Sequence, residues 1–221
     1  MPQDYEVQSG DCMSSIAYQN GFFWKTLWNL SENSALKAKR KNPNVLMPGD
    51  SVHIPDLTQK QETGATEQRH KFMLKGVPET LRIKLVDAAH KPRPNLEYTL
   101  IIDGISRKGK TDGNGELNEK IMPDAKSGKL SFATAPGLDG RPIPGEPKMQ
   151  LLTINLGNLD PITEPSGIKS RLKNLGLLKG TDDSPEALKN AIRGFQKKFG
   201  LAVSGVADDA TKAKLQSLHG H

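Results

Sequence analysis

Two short motifs bracket the N-terminal segment of the chain and predict its fold. The segment opens with YEVQSGDCMSSIA, Tyr5 to Ala17, and closes with NPNVLMPGDSVHIP, Asn42 to Pro55. The first motif alternates as a half-buried strand does, and a turn at Gly10 and Asp11 then leads into a helix that Asp11 is expected to cap. In the second motif, a Pro-Gly turn precedes a closing strand.

A second helix is predicted between these motifs, over Phe23 to Asn33, where apolar residues recur at helical spacing. The resulting order of strand, two helices and strand over residues 1–55 resembles a LysM domain. The residues that carry the resemblance are Tyr5, Val7, Gly10, Asp11, Ile16, Ala17, Leu27, Asn33, Pro48, Gly49, Asp50, Ile54 and Pro55. The resemblance implies a non-enzymatic module that holds N-acetylglucosamine-containing glycans, such as peptidoglycan or chitin, in a shallow groove.

The resemblance places that groove between two loops. The expected glycan-binding residues are Gly10, Asp11, Cys12, Met13, Asn44, Val45, Leu46 and Met47. Exposed backbone groups would bond the acetamide, while the apolar side chains of the second loop would cover the sugar. An alternative stays open, in which the module is a structural adaptor that binds spike or baseplate proteins without glycan. Cys12, Met13 and Met47 favour it because they make the groove more apolar.

Composition predicts several small domains in the 221 residues, because 35% hydrophobic and 5% aromatic content supplies little material for one large core. The polar stretch over residues 56–68 is an expected linker. The formal charge of +6 is compatible with an anionic partner. The densest basic run, Lys37 to Lys41, is expected at a helix C-terminus, where cations complement the helix dipole. Nucleic acid is not expected, since interleaved aromatics and a reading motif are both missing.

Short strands separated by turn signals are predicted over residues 69–157 and indicate a small antiparallel, immunoglobulin-like β-sandwich. The expected strands lie around His70–Leu74, Thr80–Val86, Glu97–Asp103, Glu116–Ile121, Lys129–Ala133 and Met149–Leu156. Thr111 to Leu117, TDGNGEL, fits a hairpin turn better than a calcium loop, because a closing Glu is missing. The segment resembles spacer modules on spike and accessory proteins of bacterial contractile injection systems.

A three-helix bundle is predicted over residues 166–221, after a linker at 158–165. Ser184 and Asp208 are the expected caps of its second and third helices. The bundle resembles the peptidoglycan-binding domain often fused to cell-wall hydrolases. The matching residues are Arg171, Leu172, Leu175, Gly176, Ala191, Ile192, Phe195, Gln196, Gly200, Leu201, Val203, Gly205, Asp209, Thr211 and Leu215. Arg171 and Gln196 are weak candidates for ligand binding, and Gln196 has a structural role as its alternative.

Catalytic apparatus is not recognisable in the sequence. The five His residues are scattered over three segments, and Cys12 has no His near it in sequence. We therefore expect no enzyme, no metal and no cofactor. The expected fold class is multidomain α+β, and the expected function is non-catalytic binding of bacterial peptidoglycan. The combination of segments resembles accessory proteins of type VI secretion spikes, which makes spike or baseplate proteins further expected partners.

The expected location follows from two features of the N-terminus and of the whole chain. Residues 1–8 lack the basic start and apolar run of a secretory signal, and no stretch approaches the roughly 20 apolar residues of a membrane span. We expect synthesis in the cytoplasm without such a signal. The protein would then act at the periplasm and cell wall, or be exported by a contractile injection system.

Overall fold

A computed structural model describes residues 1–58, 63–69, 79–87, 91–134, 144–145, 147–178 and 184–220. The strands are β1 (Gln3–Glu6), β2 (Ser51–Ile54), β3 (Glu79–Lys84), β4 (Glu97–Ile102), β5 (Ile105–Lys110), β6 (Glu116–Ile121), β7 (Ser127–Ala133) and β8 (Met149–Asn155). The α-helices are α1 (Met13–Gln19), α2 (Trp24–Trp28), α3 (Ser34–Arg40), α4 (Pro165–Asn174), α5 (Pro185–Lys198) and α6 (Asp209–His219), and a 3₁₀ turn spans Ser31–Asn33.

The chain divides into two compact units that interleave along the sequence. One unit comprises Met1, Ser14–Trp24 and Pro55–Leu156, and the other comprises Pro2–Met13, Lys25–Ile54 and Gly157–His221. The boundaries predicted from sequence follow the order of the chain and stay a prediction. The mixed α+β character and the antiparallel sheets are as expected.

Two antiparallel sheets form the larger part of the first unit. One pairs β3 with β6, and the other has the order β5-β4-β7-β8. Both sheets contribute to one core, whose buried members are Leu85, Tyr98, Leu100, Ile102, Leu117, Leu130 and Phe132. The Tyr98 hydroxyl donates to Glu119 Oε1 at 2.7 Å and so joins β4 to β6. A shared core between two sheets is the packing that the alternation predicted, while the immunoglobulin-like assignment stays a prediction.

Strand β5 is absent from the strands expected from sequence. Its residues read ISRKGK, with three cations and a glycine that hide the period-two pattern. A charged strand at a sheet edge is unattractive to further strands, which is a physical reason for this composition. The expected strand around His70–Leu74 lies outside the described residues.

A turn is present at residues 111–117, but the predicted hairpin is wrong, because β5 pairs with β4 whereas β6 pairs with β3 in a different sheet. Asp112 Oδ1 accepts the backbone amides of Asn114 and Glu116, at 2.9 and 2.8 Å, and so closes the turn with its own side chain. Among the described residues there is no group of three or more His, Cys, Asp or Glu that could hold a metal ion.

The second unit begins with an antiparallel pair, β1 and β2, in which Tyr5 lies opposite Val52. The single second helix predicted over Phe23 to Asn33 is instead α2 followed by the 3₁₀ turn and then α3. Asn33 supplies the reason. Its buried amide donates to the Leu27 and His53 carbonyls and accepts the His53 amide, so it replaces the helix's own hydrogen bonds at that point.

The C-terminal part of the second unit contains the three predicted helices, α4, α5 and α6. Its buried apolar residues are Ile168, Leu172, Leu178, Ala191, Ile192, Phe195 and Leu215. Ser184 Oγ accepts the Ala187 amide at 3.2 Å, and Asp208 Oδ1 accepts the Thr211 amide at 2.8 Å. Both predicted caps are therefore confirmed. None of the described helices has the length and apolarity that crossing a bilayer demands.

Candidate functional site

The structure brings together the two loops of the groove predicted near the N-terminus. The Met13 amide, at the start of α1, donates to the Pro43 carbonyl at 2.9 Å, which ties the loop after β1 to the loop before β2. Of the predicted groove residues, Asp11, Met13, Val45 and Leu46 are buried. Gly10, Cys12 and Met47 are partly exposed, and Asn44 is exposed.

Burial limits what the predicted groove can offer a ligand. Val45 and Leu46 are each only 5% exposed, so their side chains pack into the interior and cannot cover a sugar. The surface available at this place is that of Cys12, Asn44 and Met47 together with nearby backbone. The assignment of this groove to glycan stays a prediction.

Asp11 shapes the loop after β1 rather than occupying the capping position predicted for it. Helix α1 begins at Met13, so the residue before its first turn is Cys12. The Asp11 carboxylate accepts the Tyr5 hydroxyl at 2.7 Å and the Gln8 amide at 3.0 Å. This hydrogen bond from Tyr5, together with burial, raises the pKa of Tyr5 to about 12. The loop is thus closed by its own buried carboxylate.

Asp50 holds the second loop in place from beneath. Its carboxylate is 2% exposed and accepts Arg40 Nε at 2.6 Å, Arg40 Nη2 at 2.8 Å, Lys39 Nζ at 3.2 Å and the Met47 amide at 3.0 Å. Burial by itself would raise the pKa of Asp50. The hydrogen bonds from Arg40, Met47 and Lys39 outweigh it and hold that pKa below its ordinary value.

The basic run between Lys37 and Lys41 therefore has a second role. Lys37, Lys39 and Arg40 lie in the last turn of α3, as the helix-dipole argument predicts. Arg40 and Lys39 also form ion pairs with Asp50, which composition alone did not indicate. In the sequence, Asp50 directly follows the Pro-Gly turn, but the sequence does not reveal that Arg40 and Lys39 are its partners.

Gly157 and Asn158, which belong to the same unit as the loop after β1, contact that loop. A Cβ placed on Gly157 would lie 2.2 Å from the Gly10 carbonyl oxygen, so these two backbones approach closely. Asn158 lies beside Gly10 as well, since a Cβ on Gly10 would be 3.6 Å from Asn158 Oδ1. One end of the predicted groove is thus in contact with protein backbone.

In the C-terminal helices, Gln196 is fully buried and bonded within the chain. Its Nε2 donates to Ser204 Oγ, Thr211 Oγ1 and the Val206 carbonyl, and its Oε1 accepts the Gly205 amide at 2.9 Å. These hydrogen bonds fit the structural role weighed for Gln196, and its ligand-binding role stays a prediction. Gln196 anchors the loop between α5 and α6 from below.

Arg171 is likewise interior, with 1% of its surface exposed. Its Nη1 donates to the carbonyls of Asp160 and Gly167, at 2.8 and 2.9 Å. Burial lowers the pKa of Arg171, although the negative charge of Asp160 acts in the opposite direction. The side chain fixes the segment that precedes α4 against the first turns of that helix.

A surface that the sequence did not single out lies over Gln196. Val203 and Val206 are 56% and 64% exposed on either side of buried Gly205. A Cβ on Gly205 would come within 3.0 Å of Arg193 Nε and of Lys189 Cγ, so both long side chains lie against this loop. We call Lys189, Arg193, Val203 and Val206 the α5–α6 loop surface. Its sequence signal is apolar residues in a short turn.

Comparison with known proteins identifies one part of the chain. Residues 164–215 match the family model described as “Putative peptidoglycan binding domain”. They include α4, α5, most of α6 and the α5–α6 loop surface. Comparisons with curated proteins and with solved structures return no match for the chain.

Proposed function

We propose that this protein is a non-catalytic binder of bacterial peptidoglycan, attached to the wall through residues 164–215. The observation that carries the proposal is the family match over those residues. The fold supports it, because the matched helices enclose one core and their caps are formed. Binding modules of this size need a surface patch and no catalytic group.

A second contact with the wall is proposed at the N-terminal groove. The adjacency of its two loops and the partly exposed Cys12 and Met47 support this proposal. Two weak sites on one chain raise the apparent affinity for a repetitive polymer by about 10²–10⁴ when both engage at once. The N-terminal ligand would be N-acetylglucosamine in the glycan strand.

The alternative function for the N-terminal segment is that of a structural adaptor for proteins. The contact of Gly157 and Asn158 with Gly10 favours it, because part of this loop already receives protein backbone instead of solvent. On this alternative, a spike or baseplate protein of a contractile injection machine occupies the groove. The resemblance to type VI accessory proteins supports such partners, and with them an export route that requires no standard secretory signal.

Co-sedimentation with purified peptidoglycan sacculi tests the main proposal. Full-length protein at near-physiological salt should pellet with sacculi and be displaced by soluble peptidoglycan fragments. A triple variant of the N-terminal groove, Cys12→Ser, Asn44→Ala and Met47→Ala, should reduce retention if that groove binds glycan and leave it unchanged if it binds protein. Absence of the intact protein from the pellet contradicts wall binding, and release of soluble fragments from sacculi contradicts a non-catalytic role.

A further inference from the structure

The α5–α6 loop surface combines positive charge with apolar side chains on a rigid support. Val203 and Val206 project from a loop that Gln196 holds through the Gly205 amide and the Val206 carbonyl. Apolar side chains held at the surface gain free energy when a ligand covers them. The hydrogen bonds with Gln196 therefore favour ligand binding, since a loop that is already ordered loses little entropy when it binds.

The cations beside the valines are available to a ligand. Lys189 is exposed, and 43% of the Arg193 side chain is exposed. Within the described part of the chain, Arg193 Nη1 makes only long contacts, a 3.4 Å hydrogen bond to Asn190 Oδ1 and a 3.9 Å ion pair with Glu186. Asp208, two residues after Val206, uses its carboxylate on the Thr211 amide at the start of α6. The matched residues 164–215 contain ten Lys and Arg and six Asp and Glu, so their balance is positive.

Aromatic side chains for stacking on a sugar are missing from the matched region. Residues 164–215 contain neither Trp nor Tyr. Their aromatic residues are Phe195, which is fully buried, and Phe199, whose ring packs 4.8 Å from that of Phe195. Flat aromatic rings are the usual partners for the apolar face of a hexose. This composition does not favour the sugar strand as the ligand.

We infer that the α5–α6 loop surface binds the peptide stems of peptidoglycan rather than its sugar strand. This inference rests on the proposed function of residues 164–215. Stem peptides bear free carboxylates and the methyl groups of alanine, separated by short distances. Lys189 and Arg193 complement the carboxylates, while Val203 and Val206 contact the methyl groups. The sugar strand offers neither feature at comparable density.

Amide chemical-shift titration of the full-length protein tests this inference. The probes are a synthetic stem pentapeptide with free carboxylates, the same peptide with its carboxylates amidated, and an N-acetylglucosamine tetramer. The pentapeptide should shift the amides of residues 203–206, and the amidated form should bind about fivefold to tenfold more weakly, as two exposed charge contacts imply. Shifts at residues 203–206 from the tetramer, without any from the pentapeptide, overturn the inference.

Charge variants supply an independent readout. Lys189→Gln with Arg193→Gln should weaken pentapeptide binding about fivefold to tenfold, while Lys198→Gln, on the opposite side of α5, should leave it unchanged. Sacculus retention separates the two levels of the proposal. If full-length protein pellets with sacculi but the pentapeptide does not shift the amides of residues 203–206, the inference fails and the proposed function stands. If nothing pellets, the proposed function fails as well.

Discussion

Buried polar residues decide the local structure at three places in this chain. Asn33 ends one helix and ties it to β2, Gln196 fixes the α5–α6 loop, and Asp50 gathers Arg40, Lys39 and the Met47 amide. Each has its hydrogen-bonding capacity used within the fold. A buried polar group without partners costs about 1–3 kcal/mol, so such residues favour the one conformation that supplies their partners over alternative conformations.

Asp50→Asn should lower the free energy of unfolding by about 2–3 kcal/mol at pH 7, because it leaves Arg40 without its charged partner. The pKa of Asp50 is held down in the folded protein, so its contribution is complete above the ordinary carboxyl value of about 3.9. It is lost as the pH falls through the lower folded value. Urea unfolding between pH 7 and pH 2.5 measures both effects.

The control for this variant is Asp4→Asn, since Asp4 is exposed and pairs with His53 at the surface. Its unfolding free energy should change by less than about 0.5 kcal/mol. If the difference between wild type and Asp50→Asn persists undiminished at the lowest pH, the ion-pair account of Asp50 is wrong.

Among the secondary-structure elements, the helix starts in the C-terminal part of the second unit agree with what the sequence indicates. α5 starts with Ser184 as its cap and Pro185 at its first position, a combination that satisfies one free amide and presets the first turn. α6 starts with Asp208 in the same role, and its hydrogen bond with Thr211 lowers the pKa of Asp208. Asp208 thus marks the point where the loop between α5 and α6 ends.

Ser184→Ala should destabilise the protein by about 0.5–2 kcal/mol, because the Ala187 amide loses its acceptor. Thermal unfolding followed by circular dichroism measures the change. Ser217→Ala is the matched control, since Ser217 lies within α6, where alanine is the better helix former. Equal effects of the two substitutions would show that Ser184 does not act as a cap.

On the scale of the whole molecule, the second unit joins segments that are far apart in sequence. Gly157 and Gly10 both belong to this unit and are in contact although more than a hundred residues separate them in sequence. Gly157 has φ +74°, so its left-handed backbone and its lack of a Cβ are both needed there. This position is a sensitive probe of the arrangement.

Gly157→Ala should weaken the contact and destabilise the protein more than left-handed strain alone, which costs about 1–2 kcal/mol. Gly176→Ala is the matched control, since Gly176 has φ +70° and nothing within 4 Å of its added Cβ. Hydrogen exchange of the Gly10 and Asp11 amides should speed up in the first variant and not in the second. Identical exchange in both would argue that the Gly157 contact contributes nothing in solution.

Elements with local sequence signals could be predicted without the structure. Helical spacing and capping residues predicted α4 to α6, and alternation predicted most of the strands. Asp112 with its glycines predicted a turn, while the pairing of the strands on either side of it could not be predicted. Helix boundaries in the N-terminal segment could not be predicted, because Asn33 interrupts a good helical pattern by bonding to His53, twenty residues away. Strand β5 was not predicted, because a strand at an exposed sheet edge needs no apolar alternation.

Only the folded structure shows which of the predicted site residues lie at the surface and which are interior. Val45, Leu46, Gln196 and Arg171 are interior, and a sequence pattern cannot separate an apolar or polar residue that supports a loop from one that binds through it. Burial depends on contacts that no local pattern shows, as with Asp50 and Arg40 or Gln196 and Gly205. For the same reason, the sequence did not predict the α5–α6 loop surface, which depends on the hydrogen bonds between the loop and Gln196.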